Sequence, residues 1–147
     1  MKTLVLLRHA DVDDPPTPPP ANWSPELNSR GRRRSEALAD LLEGAGVATI
    51  IVSPVLRTHQ TATPLAERLG LALQVTPTWS QTATEALSSE SGDVVLVIGH
   101  SNTIPKIINS VGGPMSGTEI LEGHEDLFII TIVTPGSASF LHLKYGR

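Results

Sequence analysis

A histidine follows each of two apolar segments, and one of these histidines is preceded by an arginine. Arg8 and His9 follow apolar residues 4–7, and His100 comes one glycine after apolar residues 94–98. A guanidinium fork carries a permanent charge and matches phosphate oxygens in pairs. An imidazole titrates near neutrality and offers both donor and acceptor atoms. Together these residue types indicate a pocket for a dianionic phosphoryl group.

A second arginine is predicted to enter the same pocket. Apolar residues 50–52 are followed by Ser53, Pro54 and, three positions later, Arg57. Serine is a favoured N-cap, and proline suits the first helical position because its missing N–H costs nothing there. The pattern predicts a helix that is capped by Ser53 and carries Arg57 in its first turn. Arg57 and Arg8 would then add two positive charges to a crevice that already receives helix N-termini.

The elements that would position these residues alternate in type along the chain. Apolar runs bounded by breakers are typical of strands that are covered on both faces. The predicted strands cover residues 4–7, 50–52, 71–75, 94–98, 127–133 and 139–143, and the predicted helices cover residues 31–43, 56–69, 81–89 and 103–111. This order predicts an α/β fold, a three-layer α/β/α sandwich whose mainly parallel central sheet has an antiparallel strand near the C-terminus. Ligands bind beyond the carboxyl ends of parallel strands, so we expect both histidines in one crevice.

Length and composition are those of an ordinary globular protein. The 147 residues are predicted to form a single domain, residues 1–147, and 39% of them are hydrophobic. A net charge of −4 disfavours nucleic acid and anionic membranes as partners. The absence of cysteine excludes disulfides, zinc thiolates and thiol nucleophiles. No apolar run has the length of a signal sequence or a membrane span, so we expect a cytoplasmic monomer or small oligomer.

Two further features are predicted to lie on the surface. The proline-rich residues 15–20 suit neither a helix nor a central strand, and we expect a stiff solvated loop, with a lid or a partner-docking loop as the alternative. A basic cluster stands at the start of the first predicted helix. We expect a solvated face there, or else a surface that attracts an acidic substrate, formed by Arg30, Arg32, Arg33 and Arg34.

Four segments together resemble the signature of the histidine phosphatase superfamily, which has the phosphoglycerate-mutase-like fold. They are residues 6–9 (LLRH), 27–31 (LNSRG), 53–62 (SPVLRTHQTA) and 99–103 (GHSNT). The resemblance runs from Lys2 to about Val133 and fits the short, single-domain phosphatase branch of the family. Ala10 departs from the pattern, because the family more often has glycine at that position.

The resemblance implies a phosphatase that needs no cofactor and no metal ion. His9 would attack phosphorus and form a covalent phosphohistidine, which water would then hydrolyse. Arg8, Arg57 and His100 would bind the phosphate oxygens and counter the charge that builds on them. The chemistry of the residues agrees, because a neutral imidazole is nucleophilic near neutral pH without a metal. The expected substrate is a small phosphorylated molecule or a phosphoprotein.

Many members of the family place an acidic residue after the third strand to protonate the leaving group, and no residue here is its clear counterpart. Glu85 is the first candidate, with a helix-surface carboxylate as the alternative, and Asp126, Glu90 and Asp13 are weaker ones. General acid help typically contributes a factor on the order of 10² to 10⁴. Without it, a good leaving group such as an aryl oxide, a phosphate or an imidazole is favoured. The short chain also predicts an open pocket that could admit a phosphoprotein, including phosphohistidine.

Three more histidines are predicted to play lesser roles. We expect His59 to be a solvated helix residue and His142 to lie on the surface of the last strand. His124 precedes a predicted strand whose end could border the site. Contact between His124 and the substrate is therefore left open.

Three other functions fit parts of this pattern. A phosphate-recognising binding module with little turnover would use the same arginines. A metal-dependent hydrolase would need closely spaced histidines or carboxylates on one helix face, and the sequence has no such pair. A phosphoglycerate mutase is disfavoured by the short chain.

Overall fold

Six strands form one sheet in the computed structural model, which describes all 147 residues. The strands are β1 Lys2–Arg8, β2 Thr49–Val52, β3 Leu73–Val75, β4 Val94–Gly99, β5 Asp126–Thr134 and β6 Ser137–Lys144. The helices are α1 Ser29–Leu42, α2 Leu56–Leu69, α3 Trp79–Leu87 and α4 Thr103–Ser110, with a short 3-10 turn at Ser89–Ser91. The strands and helices alternate in the predicted order.

The sheet has the strand order β3-β2-β4-β1-β5-β6. The first four strands of the chain are parallel to one another, whereas β5 runs antiparallel to both β1 and β6. The register of β1 on β4 pairs Arg8 with Gly99, so that His9 and His100 leave neighbouring strands side by side. The predicted, mainly parallel sheet with an antiparallel strand near the C-terminus is therefore confirmed.

Helices cover both faces of the sheet because its central strands are apolar on both sides. One core lies under α1 and α2 and includes Leu7, Leu38 and Leu65. The other lies under α3 and α4 and includes Leu6 and Ile104. Neighbouring residues of β1 thus point into different cores, as alternation along a strand requires. The predicted three-layer α/β/α sandwich is confirmed.

Polar N-caps determine where α1 and α3 begin. The Asn28 side chain accepts a hydrogen bond from the Gly31 N–H at 2.8 Å, and the Thr78 hydroxyl accepts one from the Gln81 N–H at 3.2 Å. Each bond satisfies an N–H group of the first turn that has no partner within the helix. Both helices therefore begin two residues before their predicted starts.

The predicted N-cap of α2 is wrong. The cap position is Val55, whose side chain makes no capping hydrogen bond. The hydroxyl of Ser53 lies instead 3.1 Å from Thr58 Oγ1 and 2.8 Å from His100 Nε2. The serine hydroxyl therefore contacts a side chain of α2 and a distant strand end, and it accepts no backbone N–H of the first turn. Arg57 nevertheless lies in the first turn of α2, as predicted.

The proline-rich residues lie in the long connection between β1 and α1. Residues 15–20 are exposed and contain neither helix nor strand, as predicted. An isolated bridge between Val12 and Leu27 closes the base of this connection. None of the four helices is long and apolar enough to cross a membrane.

Candidate active site

His9 and His100 meet at the carboxyl edge of the parallel strands. The His9 N–H donates to the Gly99 carbonyl at 2.9 Å, which continues the pairing of β1 and β4 by one residue. The two imidazole rings are T-shaped, with centroids 5.5 Å apart. His9 is only 4% exposed. Strand register therefore brings together two histidines that are far apart in the chain.

The hydrogen bonds of His9 show which ring nitrogen is free to react. A carbonyl oxygen can only accept, so the 2.8 Å contact with the Ala10 carbonyl requires a proton on Nδ1. In the neutral ring, Nε2 then carries the lone pair. The Nε–H of Arg57 points at this nitrogen from 3.3 Å. His9 thus presents an unprotonated Nε2 to a guanidinium group.

Burial keeps both imidazoles neutral near pH 7. Desolvation, aided by the charges of Arg57 and Arg8, lowers the pKa of His9 to about 3. The same causes lower the pKa of His100 to about 4. A neutral imidazole keeps its lone pair available for attack at neutral pH.

The two arginines bring positive charge that no salt bridge neutralises. Nη1 of Arg8 donates to the carbonyls of Leu121 at 3.4 Å and Gly123 at 3.2 Å, while its buried Nε has no hydrogen-bond partner. Neither Arg8 nor Arg57 forms a salt bridge. Desolvation lowers the pKa of both guanidinium groups. Half-buried cations without a salt bridge favour a bound anion. We call these four residues the edge cluster: Arg8, His9, Arg57 and His100.

The loop between β2 and α2 holds His100 in place. Ser53 Oγ contacts His100 Nε2 at 2.8 Å, and the Thr58 hydroxyl donates to the Ser53 carbonyl at 2.9 Å. Nε2–H of His59 donates to the same carbonyl at 3.1 Å. His59 is half-buried and tied to this loop, so it differs from the solvated helix residue that the sequence predicts.

Thr61 links the backbone beside His9 to the helix that carries Arg57, and no motif in the sequence points to this role. Its buried hydroxyl accepts a hydrogen bond from the Ala10 N–H at 2.8 Å and donates to the Arg57 carbonyl at 2.8 Å. The backbone beside His9 is thereby fixed relative to the helix that carries Arg57. The only signal in the sequence is that Thr61 follows Arg57 by one helical turn. The contact with Ala10 spans 51 residues, so no local pattern predicts it.

His124, in the loop before β5, packs against the edge cluster. Its Nδ1–H donates to the His9 carbonyl at 2.9 Å, and the two rings lie 5.4 Å apart. Burial lowers the pKa of His124, so that its ring is neutral near pH 7. The residue that the sequence left open therefore lies directly against the nucleophile candidate.

A buried ion pair stands two residues after His9. Nε of Arg34 donates to Asp11 Oδ1 at 2.6 Å, and Nη1 donates to the Tyr145 carbonyl at 2.8 Å. Burial opposes ionisation of Asp11, but the hydrogen bond and charge of Arg34 outweigh it and lower the Asp11 pKa. Arg34 is only 8% exposed. The predicted solvated face is therefore wrong for Arg34, since the fold brings it a distant carboxylate.

Glu85, the first candidate for the leaving-group acid, lies away from the edge cluster. Trp79, at the start of α3, lines a cavity with His100, whereas Leu87, at its end, lies beside Met1 at the opposite edge of the sheet. Glu85 is near the far end of this helix and lines a neighbouring depression, which shares Thr76 and Pro77 with the cavity beside His100. Its carboxyl forms no hydrogen bond or salt bridge with the edge cluster, and its role stays a prediction.

The weaker acid candidates are either paired or exposed. Asp126 accepts a hydrogen bond from His142 Nε2 at 2.7 Å and pairs with Lys144. Burial opposes ionisation of Asp126, but these two partners lower its pKa. Asp13 is exposed and accepts a hydrogen bond within its own loop, and Glu90 is exposed on the 3-10 turn. His142 is exposed, as predicted.

A cavity of about 250 Å³ opens beside His100. The segment that follows β3 forms part of its wall, together with Ser53 and Thr103. This is the segment in which the family resemblance leads us to expect an acid. No carboxylate lines the cavity.

A three-layer fold with paired histidines and arginines at the carboxyl edge of its parallel strands is the arrangement expected of a histidine phosphatase. A family model described as "Histidine phosphatase superfamily (branch 1)" matches residues 4–84, more than half of the chain. The chain therefore belongs to the histidine phosphatase superfamily. The phosphatase class predicted from the sequence is confirmed at the level of the family.

Several solved structures have the same fold. The protein histidine phosphatase SixA, solved with tungstate, is 21% identical with a TM-score of 0.75, and the match covers 97% of this chain and 96% of that one. The mycobacterial glucosyl-3-phosphoglycerate phosphatase Rv2419c, solved with inorganic phosphate, is 17% identical with a TM-score of 0.70 and coverages of 100% and 98%. The protein of open reading frame Rv3214 from Mycobacterium tuberculosis is 17% identical with a TM-score of 0.71 and coverages of 99% and 99%. Among curated proteins, none matches the chain in sequence.

Proposed function

We propose that this protein is a cofactor-independent phosphatase that forms a covalent phosphohistidine on His9. The observation that carries the proposal is the unprotonated Nε2 of His9, which is defined by the bond to the Ala10 carbonyl and faces Arg57. A phosphoryl group placed here would meet a neutral nucleophile and two permanent cations. That combination favours attack on phosphorus and stabilises the charge of the transition state.

The reaction would consist of two displacements at phosphorus. In the first, the lone pair of His9 Nε2 forms a P–N bond while the bond to the leaving group breaks, and the leaving group keeps that electron pair. In the second, water attacks phosphorus, the P–N bond breaks, and its electrons return to Nε2. Water supplies the hydroxyl group of the released phosphate, and its other proton balances the leaving group.

Several donors are available for the phosphate oxygens. Arg8 and Arg57 carry the permanent charge, and the ring of His100 is oriented by Ser53. The N–H groups of Ser101 and Asn102, just before α4, donate no hydrogen bond within the protein. Amide groups at the start of a helix are suited to phosphate oxygens.

The site favours substrates whose leaving group needs little help from an acid. The cavity beside His100 has no carboxylate in its wall, and the four acid candidates lie elsewhere or are paired. Aryl oxides, phosphates and imidazoles are stable enough to leave without a positioned proton donor. We therefore infer a phosphohistidine-bearing phosphoprotein or a small phosphoester with a good leaving group as the substrate.

Trapping the intermediate tests the mechanism directly. Wild-type protein mixed with a ³²P-labelled aryl phosphate should acquire a label that survives alkali and is lost in acid, as a phosphohistidine does. His9→Ala should remain folded, acquire no label and show no turnover, whereas His142→Ala, on the exposed hairpin, should match the wild type. Near wild-type turnover by His9→Ala would refute the mechanism.

A substrate panel tests the leaving-group argument. Alkyl phosphates, an aryl phosphate and a phosphohistidine peptide should be compared on the wild type and on Glu85→Gln. We expect the alkyl esters to be poor substrates of both proteins and the variant to match the wild type throughout. A large loss confined to alkyl esters would instead assign the leaving-group acid to Glu85.

The absence of a carboxylate from the cavity also favours a second candidate, a phosphate-recognising binding module with little turnover. Such a module would bind phosphate saturably through Arg8 and Arg57 without releasing product. Steady-state release of phosphate from an aryl phosphate separates the two candidates.

A further inference from the structure

A groove lined by arginines lies at the start of α1, outside the edge cluster. Its volume is about 500 Å³, and its walls are Arg30, Arg33, Arg34, Ala37, Gly146 and Arg147. The chain as a whole has a net charge of −4. Positive charge is therefore concentrated on one side of an acidic protein. We call this feature the arginine groove.

Half of the arginines in the arginine groove have no counterion, because Arg34 is paired with Asp11 and Arg147 with Glu125. Arg30 and Arg33 are exposed and form no salt bridge, and Arg147 lies 3.3 Å from a carboxylate oxygen of Glu125. Acids lie in the second half of α1 and directly after it, and Arg68 of α2 engages all of them: Glu36, Asp40 and Glu43. The acids at the end of α1 are thus neutralised, whereas Arg30 and Arg33 at its start have no counterion.

The arginines at the start of α1 are unfavourable for the helix itself. The N-terminus of a helix carries partial positive charge, so arginines in its first turns are repelled and acids there would be stabilising. The first turn of α1 contains no acidic residue. Arg30 and Arg33 work against the helix and form no ion pair, and an external anionic partner explains them better.

The arginine groove is physically continuous with the support of the nucleophile. Arg34 forms part of its wall and donates to Asp11, two residues after His9. Two peptide units span at most about 7 Å, so the wall begins close to the nucleophile. Arg34 also donates to the Tyr145 carbonyl, which fixes the end of the chain that carries Arg147.

We propose that the arginine groove docks an acidic segment of a phosphoprotein substrate beside the phosphorylated residue that enters the edge cluster. This inference rests on the proposed phosphatase function and names the substrate as a protein with carboxylates near its phosphorylated residue. An arginine guanidinium can form two parallel hydrogen bonds with one carboxylate, and a positively charged surface patch steers a negatively charged partner. Small substrates would not reach the groove.

Matched substrates test the docking. The probes are a phosphohistidine peptide flanked by glutamates, the same peptide flanked by serines, and phosphoimidazole. At low salt, kcat/KM of the wild type for the acidic peptide should exceed that for the serine peptide by about tenfold. The gain should come from a lower KM, with similar kcat for the two peptides. High salt should remove the preference by screening. Equal values for the two peptides at low salt would overturn the proposal.

Charge reversal locates the docking site. Arg30→Glu/Arg33→Glu should abolish the preference for the acidic peptide and leave hydrolysis of phosphoimidazole within about twofold of the wild type. The matched control is a single reversal on the same helix: Arg33→Glu should reduce the preference, whereas Arg32→Glu should not, because Arg32 lines a different depression with Glu36. Equal losses in these single variants would reveal an effect of net charge alone and overturn the proposal.

Binding without turnover separates this proposal from the proposed function. Fluorescence anisotropy of a labelled, unphosphorylated glutamate-rich peptide should show saturable binding that Arg30→Glu/Arg33→Glu weakens by about tenfold. If the wild type binds the peptide but hydrolyses none of the substrates, the proposed phosphatase function is wrong and the docking proposal stands. Binding of an oligonucleotide or of phosphatidylserine vesicles through these arginines, with no binding of the peptide, would overturn the assignment to a protein partner.

Discussion

Two histidine-containing clusters lie on the same sheet and differ in their charge balance. In the edge cluster, Arg8 and Arg57 flank two neutral imidazoles without any salt bridge. On the β5–β6 hairpin, His142 and Lys144 share the carboxylate of Asp126, and we call these three residues the hairpin cluster. Partly desolvated positive charge without a counterion favours a bound anion. In the hairpin cluster the Asp126 carboxylate already neutralises the positive charge, so no anion is favoured there. Charge balance, rather than the presence of histidine, thus distinguishes the candidate site.

Removing one cation from the edge cluster should have the largest effect. Arg57→Ala is expected to lower kcat/KM for an aryl phosphate by on the order of 10² to 10³, because it removes a charged donor from the transition state. Steady-state kinetics measure this loss, and phosphate should protect the variant less against thermal unfolding. Arg57→Lys is the control and should recover only part of the lost kcat/KM, since lysine keeps the charge but lacks the forked geometry of a guanidinium group. Wild-type kinetics in Arg57→Ala would remove the distinction between the clusters.

The ion pair beside the edge cluster should matter for stability more than any pair of the hairpin cluster. Asp11→Asn is expected to lower the free energy of unfolding by about 3–5 kcal/mol, because it leaves Arg34 buried without a counterion. Urea denaturation measures the change. Asp40→Asn, in the exposed network of Arg68, is the control and should cost about 1 kcal/mol or less. A similar small cost in both variants would contradict the argument.

Acid should act on the two clusters in different pH ranges. The pKa is about 3 for His9 and about 4 for His100 in the folded protein, whereas an unfolded histidine titrates near 6.5. As pH falls below about 6.5, the unfolded state binds protons that the folded state does not, and the free energy of unfolding decreases. Between about pH 7 and pH 5, His9 alone should lower the free energy of unfolding by on the order of 1–2 kcal/mol. The pKa of Asp126 is lowered, so its contribution is lost only below about pH 4.

Denaturation curves between about pH 4.5 and pH 7.5 measure this difference. His9→Asn should flatten the dependence of unfolding free energy on pH, because the variant lacks one buried neutral imidazole. Asp126→Asn should leave the slope in this range unchanged. An unchanged slope in His9→Asn would contradict the neutral, buried state of its ring.

Breaking the hairpin cluster should have the smallest effect. Lys144 is 41% exposed at its side chain, and its pair with Asp126 is partly solvated. Lys144→Ala should lower the free energy of unfolding by no more than about 1 kcal/mol and leave turnover within about twofold. Thermal denaturation and aryl phosphate kinetics measure the two quantities. A large loss of turnover would show that the hairpin cluster supports the site.

Local patterns predicted the fold and the four residues of the edge cluster. Apolar runs and helical spacing depend on neighbours within a few residues, so the strands and helices follow from the sequence. The ends of the helices were less accurate, because Asn28 and Thr78 cap α1 and α3 earlier than predicted while Ser53 does not cap α2. Competition between capping and a tertiary contact decided the role of Ser53.

Local sequence patterns could not predict the residues that support the edge cluster. Thr61 bonds to Ala10 across 51 residues, and His124 bonds to the His9 carbonyl across 115 residues. Glu85 was the best acid candidate by position in the sequence, yet α3 runs away from the edge cluster. Such relations depend on strand register and helix direction.

The sequence by itself determined that two imidazoles and two guanidinium groups would stand at the carboxyl ends of parallel strands, because apolar strands and the turns after them are locally encoded. The tertiary structure alone decided which charges are balanced. It gave Arg34 the carboxylate of Asp11 from 23 residues away and left Arg8 and Arg57 without one. The physical reason is that ion pairing depends on the distances between side chains, which the order of strands in the sheet sets.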